Sequence, residues 1–391
     1  MIVGPLPARP QTAGRAERND MTPRPNRPRI ALVAGIVATV LLSVGGCSAS
    51  GSPGATSTAP APSPTASADP GADAAFAAVM SAPVSTWRSS YLTSSMTFAV
   101  PGTVVAASVG TGPVARVASG DATLGSIPLA VDDTFHIGSM TKLFTAALIM
   151  QLDQEGVLSL DDTLSRWYPE APNASAITVR MLLQHESGLA ELDFDLVGTA
   201  TTQAVIDNVF AEPPVSAPGT AYAYLNAGYI ILGSIAEKAA NIPYGEQVET
   251  RFIDQLGLTG TYLDGFGKGP AAVDGFDLGC AAGTGGDCLG KPSTATPTSP
   301  TPSPQWTGAF SAGGMVSSAR DQAVWIRDLV PGVGTCLGHA GEIPGSNGIA
   351  AYCPDADLAI VILNDLLPAG LTPGYPGLLE LAPPALKALA G

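Results

Sequence analysis

Charge is scarce in this 391-residue chain. Only 13% of its residues are Asp, Glu, Lys or Arg, and lysine occurs only as Lys142, Lys238, Lys268, Lys291 and Lys387. The net charge of -15 argues against nucleic acid as a partner, since that role calls for basic patches. Histidine is limited to His136, His185 and His339, with no close pair such as His-x-x-x-His, so no metal site or other cofactor is expected. The apolar run from Ile30 to Val44, 15 residues, falls short of the roughly 20 that a membrane-spanning helix needs. What is abundant is core-forming material: 46% of the chain is hydrophobic, enough for one large core or two modest ones.

Positive charge gathers at the N-terminus, where Arg9, Arg15, Arg18, Arg24, Arg27 and Arg29 precede that apolar run. This order suits a secretory signal. The run closes with Val44-Gly45-Gly46-Cys47, which resembles a bacterial lipobox. The resemblance implies a signal peptide over residues 1–46, a diacylglycerol on Cys47 and a protein held on the outer face of the cell membrane. The alternative is an uncleaved anchor helix with a chance cysteine. Two acyl chains suffice for stable attachment. Residues 47–72 are almost wholly Ser, Ala, Pro, Thr and Gly beyond the cysteine, a composition that cannot bury a core and reads as a flexible tether.

Four further cysteines remain, Cys280, Cys288, Cys336 and Cys353. An even number in an exported chain favours disulfides. Pro344-Gly345 lies at the centre of a turn-forming stretch, and Cys336 and Cys353 are equidistant from it. A hairpin there would pair those two and leave Cys280 with Cys288, closing a small Gly-rich loop, although a bulge would shift the register.

From residue 73 onward the pattern is that of one domain. Asp73 to Met80 reads as helix, and Thr103 to Val109 with Val114 to Ser119 as two strands around Gly110-Thr-Gly-Pro113. A buried helix follows to about Gly156, then a short helix capped by Asp161 or Asp162. Further helices cover Ile177 to Gln184, Tyr229 to Ala240 and Tyr244 to Leu256. Strands return at Gly348 to Cys353 and Leu358 to Leu363 before a helix from about Leu378 to Ala390. Strands at both ends with helices between predict an α+β fold: an antiparallel sheet built from both termini, with a mainly helical subdomain inserted at about 143–290. Residues 291–304 repeat the tether's Pro/Thr-rich composition and read as a flexible insertion.

Candidate chemistry begins at Gly138-Ser-Met-Thr-Lys142. Residues three apart share a helix face, with Cβ atoms about 5 to 6 Å apart, so the Lys142 amine can reach the Ser139 hydroxyl. A serine needs an adjacent base, and a lysine serves only where burial loosens its hold on its proton. The residues after it, Leu143 to Leu152, are apolar nearly all round, which places Lys142 in a low-dielectric wall. Downstream, Tyr224-Leu-Asn226 can supply a phenol to share a proton with Lys142 and an amide to hold a substrate carbonyl, with Tyr222 as a competing phenol. Gly338-His339-Ala340-Gly341 opens the proposed hairpin and offers a cationic or donating side chain beside a glycine.

Ser-x-x-Lys, Tyr-x-Asn and His-x-Gly in this order resemble the penicillin-recognising serine hydrolases: D-alanyl-D-alanine carboxypeptidases, class C β-lactamases and related esterases. Flanking stretches carry the same likeness, among them Gly156-Val-Leu-Ser-Leu-Asp-Asp162, Ile177 to Leu189 and Ser311-Ala-Gly-Gly314. The resemblance covers roughly residues 73–391 and implies a β-lactamase/transpeptidase-like fold. It makes Ser139 the acylated nucleophile, Lys142 its partner and Tyr224 a phenolate-like general base whose proton affinity Lys142 lowers. Asn226 would orient substrate and lysine, and His339 would line the opposite wall. The oxyanion hole would be the N–H groups of Ser139 and of Glu342, just after Gly341. His185 would be structural.

One departure bears on substrate. The third motif reads His-Ala-Gly where β-lactamases have Lys-Thr-Gly, and alanine has no hydroxyl with which to bind a substrate carboxylate. The reading is therefore an exported serine hydrolase acting through an acyl-enzyme, of D-alanyl-D-alanine carboxypeptidase or peptidase type on cell-envelope D-amino-acid peptides. A carboxylesterase or weak β-lactamase is the alternative in chemistry. From another class, the alternative is a catalytically weak lipoprotein that binds an envelope ligand such as peptidoglycan.

Overall fold

The computed structural model describes residues 69–389 apart from 90, 93–96, 99, 124, 198–199, 266–271, 274, 278–298, 302–308, 330–335, 344 and 366–373. The signal segment, Cys47, the tether up to residue 68, the Cys280–Cys288 pairing and nearly all of the 291–304 insertion lie outside the described residues.

The first helix, α1 (Pro70–Ser89), buries Phe76, Met80, Val84 and Trp87. Their spacing of three and four residues puts them on one face. Strands β1 (Gly102–Val109) and β2 (Ala115–Thr123) follow as the predicted hairpin, then the short β3 (Ile127–Pro128) and β4 (Thr134–His136). Helix α2 (Thr141–Gln154) is buried at every position from Thr141 to Met150 and at Leu152, as its all-round apolar sequence predicts. The helical part continues with α3 (Val179–Leu183), α4 (Thr202–Ala211), α5 (Asn226–Ala240) and α6 (Tyr244–Val248).

The chain then forms β5 (Tyr262–Leu263), α7 (Phe310–Gly313), β6 (Met315–Ser318) and α8 (Ala319–Leu329). It closes with β7 (Leu337–Ile343), β8 (Ser346–Cys353), β9 (Leu358–Asn364) and α9 (Gly374–Leu389). One expectation fails locally. The turn after Gly156 is a single 3-10 turn, Leu164–Arg166, preceded by Thr163. Asp162 is occupied elsewhere, accepting from the Ser159 N–H at 2.8 Å and pairing with Arg166.

The main sheet has the order β7-β8-β9-β1-β2-β3, antiparallel throughout. C-terminal strands thus pair with N-terminal ones through β9 and β1, Ile362 opposite Val105. Both central strands alternate between two cores. Val104, Ala106, Ala359, Val361 and Leu363 face the large core with α2 and α8. Val105, Ala107, Leu358, Ile360 and Ile362 face the smaller core with α1 and α9. This double burial explains why β9 reads as an unbroken apolar run rather than an alternating one.

The β7–β8 register runs from Leu337↔Tyr352 to Ile343↔Ser346, centred as predicted on residues 344 and 345. Cys336 and Cys353 form the expected disulfide just beyond its open end. A second sheet, β4-β6-β5, supports the start of α2. Trp325 of α8 is fully buried, stacked on Phe144 of α2 at 4.1 Å and tilted against Phe252 at 5.2 Å. It joins the sheet's helical cover to the helix that starts at the candidate nucleophile. Removing so large a buried ring leaves a cavity. Trp325→Ala is expected to lower stability in chemical denaturation by about 3–5 kcal/mol; a loss under about 1 kcal/mol would mean that this contact is not part of a tight core.

Candidate functional site

Ser139 lies on a 3-10 turn, Gly138–Met140, directly before α2. The turn needs Gly138 at φ +49°, and a Cβ there would lie 2.7 Å from Glu342 N and 2.6 Å from Glu342 O. From the other side, a Cβ on Gly341 would lie 1.8 Å from Ile137 O. The glycine of each motif is therefore what lets β7 press its main chain against the turn carrying Ser139. That contact brings the Glu342 backbone beside the nucleophile, where the predicted oxyanion donors are the N–H groups of Ser139 and Glu342.

Lys142, in the first turn of α2, is 2% exposed. Its Nζ stands 2.9 Å from Ser139 Oγ, 2.8 Å from Asn226 Oδ1 and 2.8 Å from the Ala312 carbonyl oxygen. Burial lowers the amine to about 7, with the Glu191 carboxylate pulling in the opposite direction. Two of the three partners can only accept. When the amine is neutral its two N–H groups belong to Asn226 and Ala312, and the lone pair is left for the Ser139 hydroxyl proton. The geometry itself makes the lysine a base toward the serine.

The other two partners are held by structure that sequence alone does not show. Asn226 begins α5, and Glu191 grips that end of the helix: Oε2 accepts from Asn226 N at 2.9 Å and Asn226 Nδ2 at 3.2 Å, and Oε1 accepts from Ala227 N at 3.0 Å. The carboxylate satisfies free helix N–H groups and fixes which end of the Asn226 amide faces Lys142. Ala312 sits on α7, which is pinned to α2 by Thr145 Oγ1 donating to Ser311 O at 2.6 Å, and to α5 by Ser311 Oγ donating to Tyr229 O at 2.8 Å. Glu191 is 35 residues from Asn226 and belongs to no local pattern, and a backbone carbonyl has no signature at all. The neighbouring Ser311-Ala-Gly-Gly314 stretch was the only pointer to α7.

Of the two phenols, Tyr224 is the one at the site. Its hydroxyl is hydrogen-bonded to Ser139, and its ring centre is 5.0 Å from Lys142 Nζ. Tyr222 is 51% exposed and only edges onto His185 at 5.8 Å. The expected lowering of the Tyr224 proton affinity is not found. Burial pushes the phenol up, more than its hydrogen bond to Ser139 lowers it, and the charges of Glu191 and Glu342 push the same way. The ring keeps 40% of its surface open, so the desolvated part is the hydroxyl end. A lysine lowered to about 7 carries only part of its positive charge near neutrality and does correspondingly less to hold a phenolate.

For His339, of the cationic and donating alternatives, the structure favours the neutral one. Burial, then Lys142, lowers it to about 4, so it is neutral rather than cationic. Its Nδ1 donates to the Ala340 carbonyl at 2.5 Å, which leaves Nε2 as an acceptor. His185, at φ +58° after α3, is structural as expected: Nδ1 accepts from Leu225 N at 3.1 Å, and the ring stacks on Tyr224 at 4.5 Å and Tyr229 at 5.1 Å. Burial lowers it to about 3. His185 thereby sets the position of the phenol, while His136 lies apart on β4.

Comparison with known proteins gives the chain's family and fold. Residues 90–334 match the family model described as Beta-lactamase. Penicillin-binding protein 4* of Bacillus subtilis (strain 168) is 31% identical over 142 residues, covering 34% of this chain and 31% of its own length. Penicillin-binding protein 4 of Amycolatopsis lactamdurans is 32% identical over 168 residues, covering 41% and 44%. The chain thus spans less than half the length of these curated relatives. Among solved structures, D-amino acid amidase from Ochrobactrum anthropi SV3, complexed with L-phenylalanine amide, superposes with a TM-score of 0.64 at 22% identity, over 82% of this chain and 99% of that one. With the family model covering well over half of its length, the chain belongs to the beta-lactamase family.

Proposed function

We propose that this protein is a serine hydrolase that cleaves peptide or amide bonds of D-amino-acid compounds of the cell envelope through an acyl-enzyme on Ser139. The observation that carries the reading is the Lys142 amine, buried, 2.9 Å from Ser139 Oγ and lowered to about 7. Relatives named as penicillin-binding proteins, and a structural neighbour named as a D-amino acid amidase, support the substrate class. The Cys47 lipobox supports attachment to the outer face of the membrane, which brings the domain to such substrates.

In the acylation step Ser139 Oγ attacks the scissile carbonyl and its proton passes to neutral Lys142. The carbonyl oxygen becomes negative between the N–H groups of Ser139 and Glu342, where one donor is worth roughly 3 kcal/mol in comparable sites. A phenol that keeps its proton is suited to donating. Tyr224 gives its proton to the leaving nitrogen as the C–N bond breaks, and the Lys142 ammonium restores it. Deacylation repeats the sequence with water in place of the serine, its proton again taken by Lys142.

Fluorophosphonate labelling tests the nucleophile and base. Wild type is expected to take the label, Ser139→Ala to take none, and Lys142→Met to react at least about 10²-fold more slowly; label retained at full rate on Lys142→Met would rule out the lysine as base. The pH profile has a fixed sign. Because the neutral amine is the active form, the labelling rate is expected to be flat above about 7 and to fall about tenfold per pH unit below it. His185 and His339 are neutral throughout that range. The Glu342 carboxyl also titrates at about 7, so the limb must persist in Glu342→Gln if it belongs to Lys142. Finally, Tyr224→Phe is expected to lower amide turnover by about 10²–10⁴-fold and Tyr222→Phe to leave it unchanged. The reverse pattern would assign the proton donor to Tyr222.

A further inference from the structure

The acylation scheme uses the main chain of Glu342 and leaves its carboxyl idle. Contact between β7 and the Ser139 turn fixes the Glu342 backbone beside the nucleophile, so the side chain begins at the rim of the reacting centre. Oε1 of Glu342 is buried and has no hydrogen-bond partner among the described residues. Its charge reaches Tyr224, on the helical side of the site, raising the proton affinity of that phenol. A buried oxygen without a donor is costly to keep. Its position at a reacting centre points to a donor that arrives with the substrate.

Among the described residues, the basic groups at this site offer little competition for that role. Lys142, lowered to about 7, is about half neutral at pH 7 and more so above it, and its N–H groups are committed to Asn226 and Ala312. His185 and His339 are neutral near pH 7. Ala340 has no hydroxyl, and Glu191 adds a second carboxylate behind Asn226. An anionic substrate group would meet the negative potential of these carboxylates. Reach also agrees. An α-ammonium nitrogen lies about 2.5 Å from its carbonyl carbon and a charge-assisted contact adds about 2.8 Å, so its acceptor belongs about 5 Å from the scissile carbon, within a glutamate's span from the oxyanion position.

We propose that the Glu342 carboxylate is a specificity residue that receives the free α-ammonium group of an amino acid amide or peptide on the acyl side of the scissile bond, and disfavours substrates carrying a carboxylate there. This rests on the acyl-enzyme reading above. Binding couples to ionisation: burial holds the carboxyl up at about 7, and an ammonium beside it favours the charged form. In the family's His-x-Gly position the missing hydroxyl and the added carboxyl then act together, one removing an anion's donor and the other supplying a cation's acceptor.

The test is protection of Ser139 from fluorophosphonate near pH 7.5, on the edge of the usual α-ammonium range. The competitors are D-alaninamide, N-acetyl-D-alaninamide and N-succinyl-D-alaninamide: cationic, neutral and anionic forms of one scissile amide. Wild type is expected to be protected in that order, with at least about tenfold in half-protecting concentration between first and last, the worth of one hydrogen bond to a charged group. Glu342→Gln is expected to shrink the spread to within about threefold, and Glu342→Lys to reverse it. No spread in wild type, or the same spread in Glu342→Gln, would overturn the assignment. If a variant does not fold, the wild-type order decides. Wild type that takes no label would instead sink the acyl-enzyme reading, and this inference with it, before any competitor is added.

Discussion

Everything at this site depends on a lysine kept where water cannot reach it. The desolvation of Lys142 inside the all-apolar wall of α2 lowers its amine to about 7, and the same burial obliges each of its hydrogen bonds to be met by protein. The fold meets them from three separate stretches of chain: Ser139 from the turn before α2, Asn226 from the start of α5 and Ala312 from α7. An exposed lysine would remain an ammonium and could not take a proton from serine. A buried one without Asn226 and Ala312 would leave its N–H groups unmet and its lone pair undirected. Packing therefore supplies the basicity, and two acceptors supply the direction.

The consequences spread to neighbouring groups. With Lys142 lowered to about 7 and only partly charged near neutrality, desolvation dominates at Tyr224 and leaves that phenol protonated. The histidines are affected in the same way: His185 and His339 are both neutral, through burial first and the residual charge of Lys142 second. A site that sequence describes with a lysine, two histidines and two tyrosines thus contains little positive charge near neutrality. Its acidic groups are Glu191, holding the end of α5, and Glu342 at the rim, which burial holds at about 7 and so leaves partly ionised near neutrality. Substrate selection then turns on what a neutral-to-acidic wall tolerates.

How much of this was legible before the structure varies with the length scale of the pattern. Ser139 and Lys142 could be paired because three-residue spacing is a local signal, and Cys336 with Cys353 because hairpin symmetry about residues 344 and 345 is also local. The sheet's assembly from both ends followed from strand patterns flanking a helical middle. Glu191 was missed because it acts across 35 residues on a helix start, and the Ala312 carbonyl because backbone groups carry no residue code. The charge state of Tyr224 was misjudged, and that of His339 left open, for a related reason. Motif positions identify the groups, but protonation depends on burial, which is a property of the assembled core. Between Tyr222 and Tyr224 the structure favours the latter, which is hydrogen-bonded to Ser139 and stacked on His185.

The scarcity of lysine makes the central claim directly measurable. With the side-chain amines of five lysines to observe, NMR of 13C-labelled lysine side chains can follow the Lys142 Cε shift with pH, assigned by its absence in Lys142→Arg. The account predicts a midpoint at about 7 for Lys142, against about 10.4 for an unperturbed lysine. A Lys142 midpoint above about 9.5 would show that the amine stays an ammonium at neutral pH, and would remove the base on which the proposed chemistry stands.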